Sequence, residues 1–304
     1  MASDVGSPVS DRVSTLVETA RGPTEYAWVG SGPTVLLIHG GHSSYREELG
    51  VRGLLSAGFS VLIPSRPGYG RTPLATGAAA ETAAHALVAL LDLLRVDQVH
   101  VLGMSAGGPT SLHMAALHPQ RVRRLVLACA VTKTWHQPGD GLYETMQRLF
   151  GRWQGWTWWA TRTAAAIAPR AVARTMMQQF TSRDLDEAMA QLSEADVEVL
   201  RRLVCRSSSG RGFLADLEHR TSEDLLRNVP AETLIVHSRF DGAVPFDHAT
   251  HAAQHIPKAR IFEAPTLGHV LWVGPGGDLV DETIAEFLGS RADDAELARR
   301  PTSR

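Results

Sequence analysis

Cysteine is scarce in this chain of 304 residues: only Cys129 and Cys205 occur. They lie far apart, so two buried free thiols are expected rather than a disulfide framework, as suits a reducing cytoplasm. No stretch approaches the ~20 apolar residues of a membrane span. Residues 1–20 lack an apolar h-region, so no signal peptide is expected and the location reads as cytoplasmic. Neither sign of charge dominates: 30 Lys and Arg face 32 Asp and Glu, a net charge of −2. That excludes a charge-driven binder of nucleic acid or of an anionic membrane. Lysine is almost missing, with only Lys133 and Lys258, which reads as coding bias. What remains is 44% apolar and 20% charged residues, enough for a large core. The length suits one α/β domain with an insertion, or two small domains.

Val13–Ala20 and Thr24–Val29 alternate like an antiparallel pair turned at Arg21-Gly22-Pro23. Val35–Ile38, Phe59–Pro64, Val99–Met104 and Val122–Ala130 are short apolar runs, as in strands buried on both faces. Helical patterns over Arg46–Ala57, Ala79–Leu94 and Gly108–Leu117 separate them. Such alternation predicts a mostly parallel central sheet flanked by helices. From about Val131 to Asn228 the chain reads almost wholly helical. Thr233–His237 resumes the strand pattern, followed by a helix at Phe246–His255, a strand at Ala259–Glu263 and a helix at Leu279–Leu288. The expected organisation is a core in two parts, 1–132 and 229–290, with a helical cap at 133–228. Residues 1–11 read as a loose leader and 291–304 as a disordered tail.

Val99–Met104 ends in Gly103-Met104-Ser105-Ala106-Gly107, with a helix straight after. Strand, Gly-x-Ser-x-Gly and helix in that order make a nucleophile elbow. It would expose Ser105 Oγ and turn the Ala106 amide toward the same space. A serine nucleophile needs a base, and the base needs an orienting acid. Ligand-binding groups of such sheets sit in loops at the carboxyl ends of strands. Asp241 follows the strand ending at His237, and His269 follows the strand ending at Glu263. Alone, Asp241-Gly242 is a common turn pair and His269 a loop histidine. The chain order Ser105, Asp241, His269 raises all three together as catalytic residues. After another strand come His39-Gly40-Gly41-His42. The Gly41 amide could join that of Ala106 as an oxyanion hole. His39 reads as a structural hydrogen-bonding residue, and His42 as a pocket-lining one.

On His39-Gly40-Gly41, Pro67-Gly68-Tyr69-Gly70, Gly103–Gly107, Asp241 and Gly268-His269, the chain resembles the α/β-hydrolase family, in particular its capped serine hydrolases. The resemblance covers roughly 13–132 and 229–290. Ser65 departs from the family's usual Asp before the Pro67 loop, which is mainly structural. Ser105 argues against the branches with an Asp nucleophile, the haloalkane dehalogenases and epoxide hydrolases. His42-Ser43 departs from the His-Gly-Gly-Pro-Gly of proline iminopeptidases.

His248, His251 and His255 share a helix face, but no carboxylate or cysteine motif completes a metal site, so surface histidines are expected and no metal. Five of the seven tryptophans, Trp135, Trp153, Trp156, Trp158 and Trp159, crowd the helical region. Some are expected to line an apolar pocket, with Trp156, Trp159, Met104 and His42 as its substrate-binding residues. The expected function is cleavage of a carboxylic ester of a small, largely apolar molecule, without a cofactor. A C–C bond hydrolase, a lactonase or amidase, and a cofactor-free perhydrolase would share these residues. A non-catalytic ligand receptor on the same fold also stays open, as does a homodimer.

Overall fold

The computed structural model describes residues 12–135, 140–151 and 153–289. The expected leader and tail lie outside them. Eight strands form one sheet: β1 (Thr15–Thr19), β2 (Gly22–Val29), β3 (Thr34–Ile38), β4 (Ser60–Pro64), β5 (Val99–Met104), β6 (Val122–Ala128), β7 (Glu232–His237) and β8 (Ala259–Glu263). Their spatial order is β1-β2-β4-β3-β5-β6-β7-β8. β1 pairs with β2 and β2 with β4 antiparallel, and every later pair is parallel.

Strand periodicity sorts the apolar side chains onto two faces. Leu36, Ile38, Val99, Val101, Leu125 and Leu127 point to one. There they meet α2 (Ala80–Leu93), α3 (Gly108–Leu117), α10 (Glu223–Arg227) and α11 (Asp247–His255). Val35, Leu37, Leu102, Met104, Val126 and Val236 point to the other, against α1 (Val51–Ser56) and α12 (Gly277–Gly289). Helix α1 is shorter than the pattern over Arg46–Ala57 predicts. Glu47 Oε1 accepts the amides of Glu48 and Leu49, and Gly50 takes a φ of 71°. Those local bonds hold 47–50 out of the helix. Helix α10 is an addition that the sequence pattern did not single out. Ser222 starts it by accepting the amide of Leu225.

Between β6 and β7 the chain also forms α4 (Gly141–Phe150), α5 (Gln154–Ile167), α6 (Pro169–Phe180), α7 (Leu185–Ala190), α8 (Glu194–Arg206) and α9 (Gly212–Asp216). This helical insertion packs in two places. Ala173, Met177, Val197 and Leu200 join Leu267, Val270 and Val273 of the loop after β8. Phe213 and Leu217 join Tyr69 of the loop after β4. Cys129 is buried and Cys205 half-buried, and both are free thiols. Among the described residues no helix is long and apolar enough to cross a membrane.

Two histidines sit inside the fold with their rings engaged. His39 Nε2 accepts the Arg66 amide at 3.0 Å, so its protonated Nδ1 donates to Gly40 O at 2.7 Å. His248 Nδ1 accepts the Thr132 amide at 3.1 Å. Burial, aided at His39 by the Arg66 charge, lowers His39 to about 3. Burial likewise lowers His248 to about 4. An unfolded histidine titrates near ~6.5. Below that pH the unfolded chain binds protons that the folded one refuses, so stability should fall as the pH falls. The loss should end once the folded protein takes the proton too, near 4 for His248 and near 3 for His39. Each contributes at most about 1.4 kcal/mol per pH unit inside its window. Urea unfolding at a series of pH values checks this. His248→Gln should flatten the slope between pH ~6.5 and ~4, and an unchanged slope would refute the neutral burial of His248.

Candidate active site

The turn after β5 holds Ser105 at φ 47°, in the left-handed region. For a residue with a Cβ that costs about 1–3 kcal/mol, so the surroundings must enforce it. Close packing does so. A Cβ on Gly103 would collide with the Ser111 side chain, and one on Gly107 with the Ile38 carbonyl. The Ser105 carbonyl is tied down by the Val131 amide at 3.0 Å. Ser105 then begins a short 3-10 turn that runs directly into α3.

His269 and Asp241 come to this serine from the loops after β8 and β7. His269 Nε2 lies 3.0 Å from Ser105 Oγ, and His269 Nδ1 lies 2.7 Å from Asp241 Oδ2. A carboxylate only accepts, so Nδ1 carries the proton and Nε2 is free to accept from the hydroxyl. Asp241 Oδ1 receives the amides of Ala243 at 2.9 Å and Val244 at 2.8 Å. Burial would raise Asp241, but the facing His269 and the hydrogen bonds from His237 and His269 win and hold it well below the usual carboxylate range. The insertion braces both loops. The Phe180 carbonyl accepts the amides of His269 at 2.8 Å and Gly242 at 3.2 Å. Thr181 forms an isolated antiparallel bridge with Asp241, and its hydroxyl donates to Leu267 O.

The exit of β3 runs beside the Ser105 turn. A Cβ on Gly40 would lie 3.1 Å from Ser105 Cβ, and one on Gly41 3.9 Å from Ala106 Cβ. Arg66 fixes this backbone: its Nε donates to His39 O at 2.8 Å and its Nη2 to Gly40 O at 3.2 Å. The same guanidinium makes a bidentate pair with Asp216 of α9, at 2.6 and 2.7 Å, and the Tyr69 hydroxyl donates to Asp216 at 2.5 Å. Burial opposes both charges, yet their attraction holds Asp216 low and Arg66 high.

The expected pocket residues divide. His42 lies under the insertion, its ring 3.9 Å from Phe213, 4.4 Å from Phe150 and 5.2 Å from Trp158. Its Nδ1 and Trp158 Nε1 both meet Ser209 Oγ at 2.9 Å. Trp156 and Trp159, by contrast, are 66% and 59% exposed and stack edge to face on each other. Helical phase explains the correction: positions three apart share the outer face of α5, whereas Trp158 and Ala165 turn inward. Met104 is corrected too. It lies on the same strand face as Leu102 and packs into the core against α1 and α12. The Phe180 ring lies 5.4 Å from that of His269. His248, His251 and His255 do not gather into one cluster: His248 is buried and faces Thr132, while the His251 and His255 rings lie 4.5 Å apart and His255 Nε2 lies 3.3 Å from Glu223. An open cleft of about 580 Å³ lies elsewhere, between the segment Arg12–Ser14 ahead of β1, Glu25 of β2 and the loops at Ser44–Arg46 and Gly70–Arg71.

Sequence reasoning missed three neighbours of the site. Arg66 and Asp216 are 150 residues apart, and nothing local pairs them. His237 left a signal: it is the lone polar residue closing the apolar run Leu234-Ile235-Val236. Its Nε2 lies 3.2 Å from Asp241 Oδ2.

Comparison with known proteins agrees with this fold. The family model described as alpha/beta hydrolase fold matches residues 33–273. An uncharacterized hydrolase of Bacillus subtilis, YcgS, is 36% identical over 88% of this chain and 96% of its own length. A 2-hydroxy-6-oxononadienedioate/2-hydroxy-6-oxononatrienedioate hydrolase of Pseudomonas putida is 26% identical over 84% of this chain and 87% of its own. The solved structure of an alpha/beta hydrolase fold protein from Nakamurella multipartita superposes with a TM-score of 0.79 at 30% identity, covering 91% of this chain and 99% of that one. With the parallel sheet, the strained serine after β5 and these relatives together, the chain belongs to the α/β-hydrolase family.

Proposed function

We propose that the chain is a serine hydrolase that cleaves a carboxylic ester, or a related acyl bond, of a small and largely apolar molecule. The observation that carries the reading is the unbroken hydrogen-bonded relay Ser105–His269–Asp241. Ser105 Oγ attacks the carbonyl carbon while its proton passes to His269 Nε2. Asp241 holds the imidazole in the required tautomer and balances the imidazolium. The Gly41 and Ala106 amides receive the developing oxyanion. Collapse expels the alcohol, which takes the proton from His269 Nε2 and leaves an acyl-enzyme on Ser105. Water, deprotonated by His269, then releases the acid. Each proton and nucleophile in this cycle comes from a residue of the chain or from water, and no step calls for a cofactor.

In this reading residues 133–228 form a cap over a core made of 1–132 and 229–290. The acyl group lies among His42, Phe150, Trp158, Phe180 and Phe213. Hydrolysis of a C–C bond next to a carbonyl is the second reading, favoured by the 26% identical dioate hydrolase. Such a dianion asks for a cation at the site. Arg66, the buried cation beside it, already gives both terminal nitrogens to Asp216, which supports a neutral substrate.

Ser105→Ala should lower kcat for p-nitrophenyl butyrate on the order of 10⁶-fold while leaving the circular dichroism spectrum unchanged. Retention of more than roughly a hundredth of the activity, far above that expectation, would exclude Ser105 as nucleophile. Asp241→Asn should cost on the order of 10⁴-fold, because the amide favours the wrong tautomer of His269; a mild loss would mean that another carboxylate orients His269. Trp158→Ala should change the ratio of kcat/KM for long against short acyl chains by about tenfold or more. Trp156→Ala and Trp159→Ala should leave that ratio alone, and the reverse pattern would place the acyl pocket on the outer face of α5.

A further inference from the structure

We propose that His237 is a positioning residue of the reaction: its Nε2–H locks the Asp241 carboxylate and tempers the negative charge that Asp241 turns toward His269. The inference rests on the proposed Ser105–His269–Asp241 triad. His237 closes β7 with a side chain wholly removed from solvent. Its Nε2 lies 2.8 Å from Val244 O and 3.2 Å from Asp241 Oδ2. Both partners only accept, so Nε2 carries the proton and shares it between them. Nδ1 is buried and has no hydrogen-bond partner among the described residues. The single donor of the ring thus serves Val244 O at 2.8 Å and lies within 3.2 Å of Asp241 Oδ2.

The bonds close a loop. Val244 gives its amide to Asp241 Oδ1 and takes the His237 proton on its carbonyl. Asp241 Oδ2 is thus fixed from behind by His237 while it faces His269 in front. A carboxylate oxygen that already accepts one proton donor stabilises a second, charged partner less. With His237 present, the His269 imidazolium gains less from Asp241. Without it, Oδ2 faces His269 alone. Protonated His269 should then persist to higher pH, while the Ala243 and Val244 amides still hold Asp241 Oδ1.

The other charged or titratable groups around His237 stay out of this exchange. Cys129, on the β6 side, is kept a neutral thiol by burial and by the Asp241 charge. His248, on α11, is lowered to about 4 by burial. Its neighbour Asp247 pairs with Lys133 at 2.7 Å. Glu263, opposite His237 in the β8 register, pairs with Arg239 at 2.6 Å.

The test is the pH dependence of kcat/KM for p-nitrophenyl butyrate between about pH 5 and 8, the range of histidine titration. His237→Leu removes the donor. His237→Gln places an amide N–H near the position of Nε2. The leucine variant should lose about ten- to a hundredfold in kcat, as for a hydrogen bond to a charged group. Its acid limb should move up by about half to one pH unit. The glutamine variant should bring both back toward wild type. Should the leucine variant fail to fold, His237→Asn replaces it, because its shorter amide stops short of Asp241, and the limb must still move up. An acid limb that coincides with wild type in a folded variant, whatever its rate, overturns the proposal. Asp241→Asn runs as the control. If it is inactive while the His237 limb stays put, this inference alone fails; if it is fully active, the triad fails and takes the inference with it.

Discussion

A guanidinium with no access to water governs the arrangement. Arg66 is 1% exposed, and its donors go to His39 O, Gly40 O and both oxygens of Asp216. Its own amide caps His39 Nε2. A buried ion pair gains little over a well-packed apolar one, but loss of one partner leaves an uncompensated charge at roughly 3–5 kcal/mol. The pair therefore specifies geometry more than it adds stability. It sets the Gly40–Gly41 backbone beside Ser105 and seats α9 on the loop after β4. The Tyr69 hydroxyl completes the cluster, and burial together with the Asp216 charge keeps that phenol protonated.

The insertion consequently touches the site from two sides by different means. On the α9 side the junction is polar at its centre and aromatic around it, with Phe213 against His42 and Phe150. On the α6 side it is backbone to backbone, through Phe180 and Thr181, over an aliphatic layer shared with Leu267, Val270 and Val273. The first junction packs Phe213 against the Gly41 backbone beside the Ser105 turn. The second holds the loops that bring Asp241 and His269 to it.

Much of this was legible in the order of residues. Strand runs, their alternation and the glycines around Ser105 are local signals, and Asp241 and His269 stand just past strand ends, where a parallel sheet presents its loops. The start of α1 was not legible, because Glu47 competes for the amides of Glu48 and Leu49 by a side-chain geometry that periodicity does not report. Met104 could have been placed by strand parity with Leu102. The tryptophans of α5 could be sorted into two faces by phase, yet which face turns inward depends on Ser209 and His42, both distant in sequence. Arg66 and Asp216 meet across 150 residues of chain, and composition says nothing of that, whereas His237 reaches partners only four and seven residues on, Asp241 and Val244.

The Phe180 carbonyl has a consequence for how such a protein can be varied. One oxygen at the end of α6 accepts the amides of both Gly242 and His269, and a Cβ on Gly268 would collide with it. The insertion is therefore not an interchangeable cassette. A chimera that imports another protein's helices as a block removes the acceptor on which two core loops are hung, and their register changes with the graft. Grafts that stop before Phe180 and resume after Thr181 keep that acceptor, so the permissible seams lie within the insertion and not at its ends.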